Sequence, residues 1–185
     1  DNAIKVQRED IANICLALDR REFVLYYQPK VNMSTGEVIG VEALIRWQHP
    51  NRGLVAPLEF LPVIEDQAIG LDLGEWVIDT ALSQISQWQS MGLQLPISVN
   101  ISAYQLQQDN FTTRLTALLE AHPDVNPNHL ELEILETSAL SNISQVFATM
   151  NVCHDLGVRF ALDDFGTGYS SLTHLRRLPA YLIKI

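Results

Sequence analysis

The sequence predicts an α/β fold built on a mainly parallel sheet, on three observations. Two strand-like runs near the start are joined by a short turn, strand and helix patterns then alternate regularly, and no internal repeat or linker interrupts them. "FVLYYQPKV" (Phe23–Val31) is aromatic and β-branched and reads as a strand. "STGE" (Ser34–Glu37) supplies a turn, and "VIGVEALIRW" (Val38–Trp47) reads as a second strand, so the pair forms an antiparallel hairpin. Val77, Ile78, Ala81, Leu82, Ile85 and Trp88 recur at helical spacing within Gly74–Gly92, with Gly92 placed to stop the helix. "LPISVNIS" (Leu95–Ser102) is a strand, and Phe111, Leu115, Leu118 and Leu119 mark a helix ended by His122-Pro123. "HLELEILE" (His129–Glu136) alternates as a strand, on which Glu131 or Glu133, one of the two, faces inward. Ile143, Val146, Phe147 and Met150 share a helical face that Gly157 terminates. "VRFALDD" is a strand, "SSLTHLRRL" a short helix and "YLIKI" (Tyr181–Ile185) a further strand.

A closed (β/α)8 barrel typically takes about 250 residues. The strands counted here would leave such a barrel with two open edges beside an apolar interior, which natural proteins avoid. Either the sheet is open or two strand–helix units are missing. The chain begins with Asp1 and stops within a strand pattern, so a piece of something longer is expected.

Composition narrows the function. At 185 residues and 47% hydrophobic the chain can bury one core, and a single domain is the default. A formal net charge of −10 excludes nonspecific attraction to DNA, RNA or an anionic membrane. Two distant cysteines, Cys15 and Cys153, give neither a disulfide framework nor a zinc spacing, which points to a reducing cytoplasm. No apolar run approaches the ~18 residues of a membrane span. "DNAIKVQRED" lacks the pattern of a signal peptide. Ile11, Ile14 and Leu18 give residues 1–21 the spacing of a leading helix that would join an upstream domain.

The informative polar residues fall at the carboxyl ends of the strands: Glu42, Asn100, Glu133, Asp163 and Asp164, with Lys184 in the last and Arg46 four residues after Glu42. In α/β barrels that is where sites are built. Singly, each has a bland reading as a solvated or turn-forming residue. Together they form an all-oxygen ligand set suited to Mg²⁺ or Mn²⁺ rather than zinc, because carboxylates this close repel unless cations neutralise them. Adjacent Asp163 and Asp164, on a turn loosened by glycines, could serve two metals. "DFG" on its own suggests a kinase, but no glycine-rich phosphate loop, "HRD" or lysine strand accompanies it. The five histidines show no ligand spacing.

In order along the chain, "YYQPK", "EALIRWQHP", "VNIS" and "DDFGTGYSSL" resemble the EAL-domain phosphodiesterases, which hydrolyse the bacterial second messenger cyclic di-GMP. The resemblance implies a TIM-like (β/α)8 barrel with an antiparallel first strand, of which residues 1–185 cover about six of the eight strands. It implies Glu42, Asn100, Glu133 and Asp163 as metal ligands and Asp164 at the second metal. Lys184 would position or activate the attacking water, and Arg46 would hold a phosphate oxygen. Gln28, Leu44, Pro57 and Phe60 would line the dinucleotide, and Glu136 would anchor the loop Phe165–Leu172. The implied activity is two-metal hydrolysis to linear pGpG with Mg²⁺ or Mn²⁺, inhibited by Ca²⁺. The implied assembly is a homodimer, joined to a sensory or GGDEF-type domain. The alternative is an inactive cyclic di-GMP receptor module. Two departures stand out: Leu135 replaces the family's usual Thr, and the chain ends at Ile185, before the last two units, so residues 1–185 alone are not expected to suffice for turnover.

Overall fold

The computed structural model describes residues 2–135, 143–163 and 182–183. A helix, α1 (Asn2–Asp19), precedes the hairpin β1 (Phe23–Val31) and β2 (Val38–His49). The turn between them is closed by Asn32, whose side-chain oxygen accepts from the Ser34 and Thr35 amides at 2.9 and 3.3 Å. A short β3 (Gly53–Val55) folds back on the end of β2 and is followed by a 3-10 turn (Pro57–Glu59), α2 (Leu61–Ile64) and the long α3 (Ala68–Ser90). Then come β4 (Ile97–Asn100), α4 (Ala103–Leu106), α5 (Phe111–Ala121), β5 (Leu130–Leu135), α6 (Ile143–Asp155), β6 (Arg159–Asp163) and β7 (Leu182–Ile183).

The sheet runs β1-β2-β4-β5-β6-β7, with β3 paired to β2. β1 and β3 are antiparallel to β2, and every later pairing is parallel. The hairpin and the strand–helix alternation expected from the sequence are therefore present. The helix stops also hold: Gly92 (φ +81°) and Gly157 (φ +92°) adopt the left-handed conformation just beyond α3 and α6, where a side chain would be strained. The segment "SSLTHLRRL" lies outside the described residues.

Side-chain parity explains where the core sits. Residues opposite each other in register share a face, so one face of the sheet collects Val41, Ala43, Ile45, Ile97, Val99, Leu130, Leu132, Ile134, Phe160 and Leu162. All are buried, and all but Ile45 pack with Ile78, Leu82 and Ile85 of α3, Leu115 of α5 and Val146 and Met150 of α6 into the main core. A second cluster joins Ile14 and Ala17 of α1 to Phe23, Ile45, Trp47, Phe60, Ile64 and Leu73. The leading helix is thus part of this domain's packing.

The other face carries Gln28, Lys30, Glu42, Leu44, Arg46, Ser98, Asn100, Glu131, Glu133 and Asp163. Two expectations change here. The inner face is mainly polar rather than apolar, because most of the aliphatic residues of these strands point to the helices, while Tyr26, Leu44, Leu135 and Ala161 remain on it. Glu131 and Glu133, two residues apart, face the same way; a period of two cannot separate them.

Candidate active site

Four neighbouring strands each contribute one oxygen donor to this face: Glu42 from within β2, Asn100 from the end of β4, Glu133 from the second half of β5 and Asp163 from the end of β6. Asn100 and Glu133 are register partners across the β4–β5 ladder. Asn100 donates through Nδ2 to Glu42 Oε1 at 3.0 Å, tying the first two strands of the site together. Asp163 stands beside Leu135 in register, two residues beyond the partner of Glu133. Four donors from four neighbouring strands thus project from one face. Among the described residues no three of His, Cys, Asp and Glu are grouped closely enough to hold a metal ion by themselves. Asp164, Glu136 and Lys184, the other members expected at this centre, lie outside the described residues.

Beneath the donors sits a charged cluster that sequence reasoning missed. Lys30 Nζ donates to Glu131 Oε1 at 2.8 Å, to Glu133 Oε1 at 3.1 Å and to the Ser98 hydroxyl. Ser98 Oγ in turn donates to Glu131 Oε1 at 2.6 Å. The Glu133 side chain is fully shielded and that of Glu131 only 7% exposed, so both carboxylates need this cation. The available signal was parity: Lys30 follows Gln28 by two positions on a strand whose register places Gln28 opposite Glu42.

Farther along β2, Arg46 lies on the same face as Glu42. Its Nη1 donates to the Ile45 carbonyl at 2.8 Å, and its guanidinium lies 5.8 Å from the centre of the Tyr26 ring. Gln28 is exposed at the matching position of β1. Leu44 and Pro57 line a cavity of about 440 Å³, together with Leu58, Asn100, Gln105 and Glu133. Leu135, at the position where a Thr was expected, lines the same cavity. Phe60 does not. It is 2% exposed and packs on Phe23 and Trp47 at centroid distances of 5.5 and 5.9 Å. Phe23 and Trp47 point to the helix side of the sheet, so Phe60 supports the wall behind Pro57 instead of facing the cavity.

An α/β barrel domain with oxygen-bearing side chains lined up on one face of neighbouring strands is the class that this fold and site define. The chain belongs to the EAL domain family, whose sequence profile matches residues 11–185. It is 42% identical over 170 residues to the bifunctional diguanylate cyclase/cyclic di-GMP phosphodiesterase MucR of Pseudomonas aeruginosa, covering 91% of this chain and 25% of that protein. It is 39% identical over 174 residues to the cyclic di-GMP phosphodiesterase PdeR of Escherichia coli K12, covering 94% of this chain and 26% of that one. The chain thus spans about a quarter of the length of the curated relatives it matches. Among solved structures, the PaMucR phosphodiesterase in complex with c-di-GMP superposes with a TM-score of 0.90 at 40% identity, covering 96% of this chain and 72% of that one. The fold is accordingly the TIM-like barrel of EAL domains. No helix among the described residues is long and apolar enough to cross a membrane.

Proposed function

We propose that this chain forms the catalytic domain of a cyclic di-GMP phosphodiesterase that opens the messenger to linear pGpG. One observation carries the reading: Glu42, Asn100, Glu133 and Asp163 project from one sheet face on four neighbouring strands, in a chain 42% identical to a named cyclic di-GMP phosphodiesterase.

The donors fit a pair of hard divalent ions, Mg²⁺ or Mn²⁺, because all are oxygens and three are carboxylates whose mutual repulsion a cation relieves. When bound, such ions acidify an attacking water and stabilise the charge that builds on phosphorus. Glu42, Asn100, Glu133 and Asp163 would hold them, with Asp164 at the second ion. Lys184 would position the water and take part in its deprotonation. Arg46 would leave the Ile45 carbonyl and Tyr26 for a phosphate oxygen, a bidentate partner that satisfies its guanidinium better. Gln28, Leu44 and Pro57 would contact the dinucleotide, and Glu136 would anchor the loop after Asp164. Inhibition by Ca²⁺, homodimer formation, a cytoplasmic setting and control by a sensory or GGDEF-type domain belong to the same proposal.

The test is turnover of cyclic di-GMP by the full-length protein after chelation and re-addition of metal. Hydrolysis restored by Mg²⁺ or Mn²⁺ and withheld by Ca²⁺ is the expected result. Absence of hydrolysis in both activating metals rejects the enzyme.

A further inference from the structure

Gln105, in α4, is 6% exposed, and its carboxamide has no hydrogen-bond partner among the described residues. Its main chain is fully occupied: the amide donates to the Ser102 hydroxyl at 3.1 Å, and the carbonyl accepts from the Gln108 amide at 3.2 Å. Only the side chain is left. A buried amide without a partner destabilises a folded protein, and such groups persist where a ligand completes them.

Its surroundings are shaped to keep it there. The carboxamide lies flat against α3 at Gly74, where an added Cβ would overlap its oxygen and come within 2.7 Å of its nitrogen. Glycine inside a helix is disfavoured, and here the missing side chain makes the room that the amide fills. Gln105 and Gly74 both line the 440 Å³ cavity that also contains Leu44, Pro57, Asn100 and Glu133. That cavity is apolar over most of its wall and takes in Asn100 and Glu133 of the oxygen-donor set, an arrangement suited to a flat base held beside a phosphate-binding centre.

We propose that Gln105 is a base-reading residue: its carboxamide, a donor beside an acceptor, pairs with the hydrogen-bonding edge of one guanine of the dinucleotide. Guanine presents N–H donors next to a carbonyl acceptor, which matches both halves of the amide at once. This inference rests on the cyclic di-GMP reading above, and it separates two roles that a buried glutamine can have. A structural glutamine stabilises the empty protein, whereas a glutamine reserved for ligand costs it stability.

The experiment measures both quantities on the full-length protein. Calorimetry with cyclic di-GMP in Ca²⁺ gives affinity, and thermal unfolding of the ligand-free protein gives stability. Gln105→Leu, close in volume and apolar, is expected to bind ~10- to 30-fold more weakly, two neutral hydrogen bonds being lost. Its ligand-free unfolding midpoint should equal or exceed that of the unaltered protein. Gly74→Ala, which keeps the glutamine but pushes the amide aside, is expected to weaken binding in the same direction. Unchanged affinity in Gln105→Leu overturns the inference. A midpoint lowered by several degrees in that variant also overturns it, since the amide is then structural. If the unaltered protein itself gives no heat with cyclic di-GMP, the functional reading fails and this inference goes with it.

Discussion

Replacing Lys30 by Met tests the claim that the inner face is held by charge pairing rather than by hydrophobic contact. Met keeps the length and most of the volume, so packing is nearly conserved. What disappears is one ammonium shared by two carboxylates, at 2.8 Å from Glu131 and 3.1 Å from Glu133. Removing one partner of a buried ion pair typically costs about 3–5 kcal/mol, because the remaining charge stays desolvated. Lys30 is itself 22% exposed, which lets water reach the gap and sets the expectation at the low end, about 3 kcal/mol. In a domain of this size that lowers the unfolding midpoint by about 6–12 °C. The double variant Lys30→Met with Glu131→Gln leaves Glu133 as the one carboxylate of that cluster and should recover about half of the loss. Divalent ions should protect Lys30→Met more than the unaltered protein, since they return positive charge to the same side chains. The assay is thermal unfolding by circular dichroism, run in EDTA and again in excess Mg²⁺. A Lys30→Met midpoint within about 1 °C of the unaltered protein in EDTA would refute the reasoning, since that is the scale of a neutral surface change.

Asp163→Asn keeps the shape of the side chain and removes its charge; it should cut turnover by at least ~100-fold while the unfolding midpoint moves by no more than a few degrees. Steady-state kinetics beside a melting curve checks both halves. Arg46→Ala should raise KM by ~10- to 100-fold, the loss of a charge-assisted contact to phosphate, with kcat changed less. An unchanged KM would remove Arg46 from the substrate site. On the alkaline side, burial pushes the Tyr27 hydroxyl and the Cys153 thiol both up to about 12, from ordinary values of 10.0 and 9.0. Each pKa is higher in the folded state, so the stability they contribute is intact below about pH 9 and is lost as pH rises toward about 12. Denaturant midpoints measured across that range should fall, and Cys153→Ala should flatten the first part of the decline.

Periodicity made most of the scaffold legible. The α3 face read from Val77 to Trp88 is the face that packs on the sheet, because a 3.6-residue repeat reports burial directly. β3 escaped because three residues, Gly53–Val55, are too few to show any repeat. That Glu42, Asn100, Glu133 and Asp163 share one face was legible because each lies on a strand that could be recognised. Their deeper partners were not. Ser98, Glu131 and Lys30 come from three strands, and only register shows that one ammonium serves all of them. Phe60 shows a related limit: its sequence position is beside Pro57 at the cavity, while its ring packs on Phe23 and Trp47. A side chain's direction out of an irregular turn is set by what it can bury, which spacing alone does not reveal.

The division of labour between the two faces of the sheet bears on how such a domain can change over time. Cohesion comes from the aliphatic layer under the helices, while Glu42, Glu133 and Asp163 lie on the opposite face, outside that layer. A substitution at Glu42 or Asp163 would leave that aliphatic layer untouched. Under the proposed function, the polar face can therefore change over time without loss of the shape that the aliphatic layer holds.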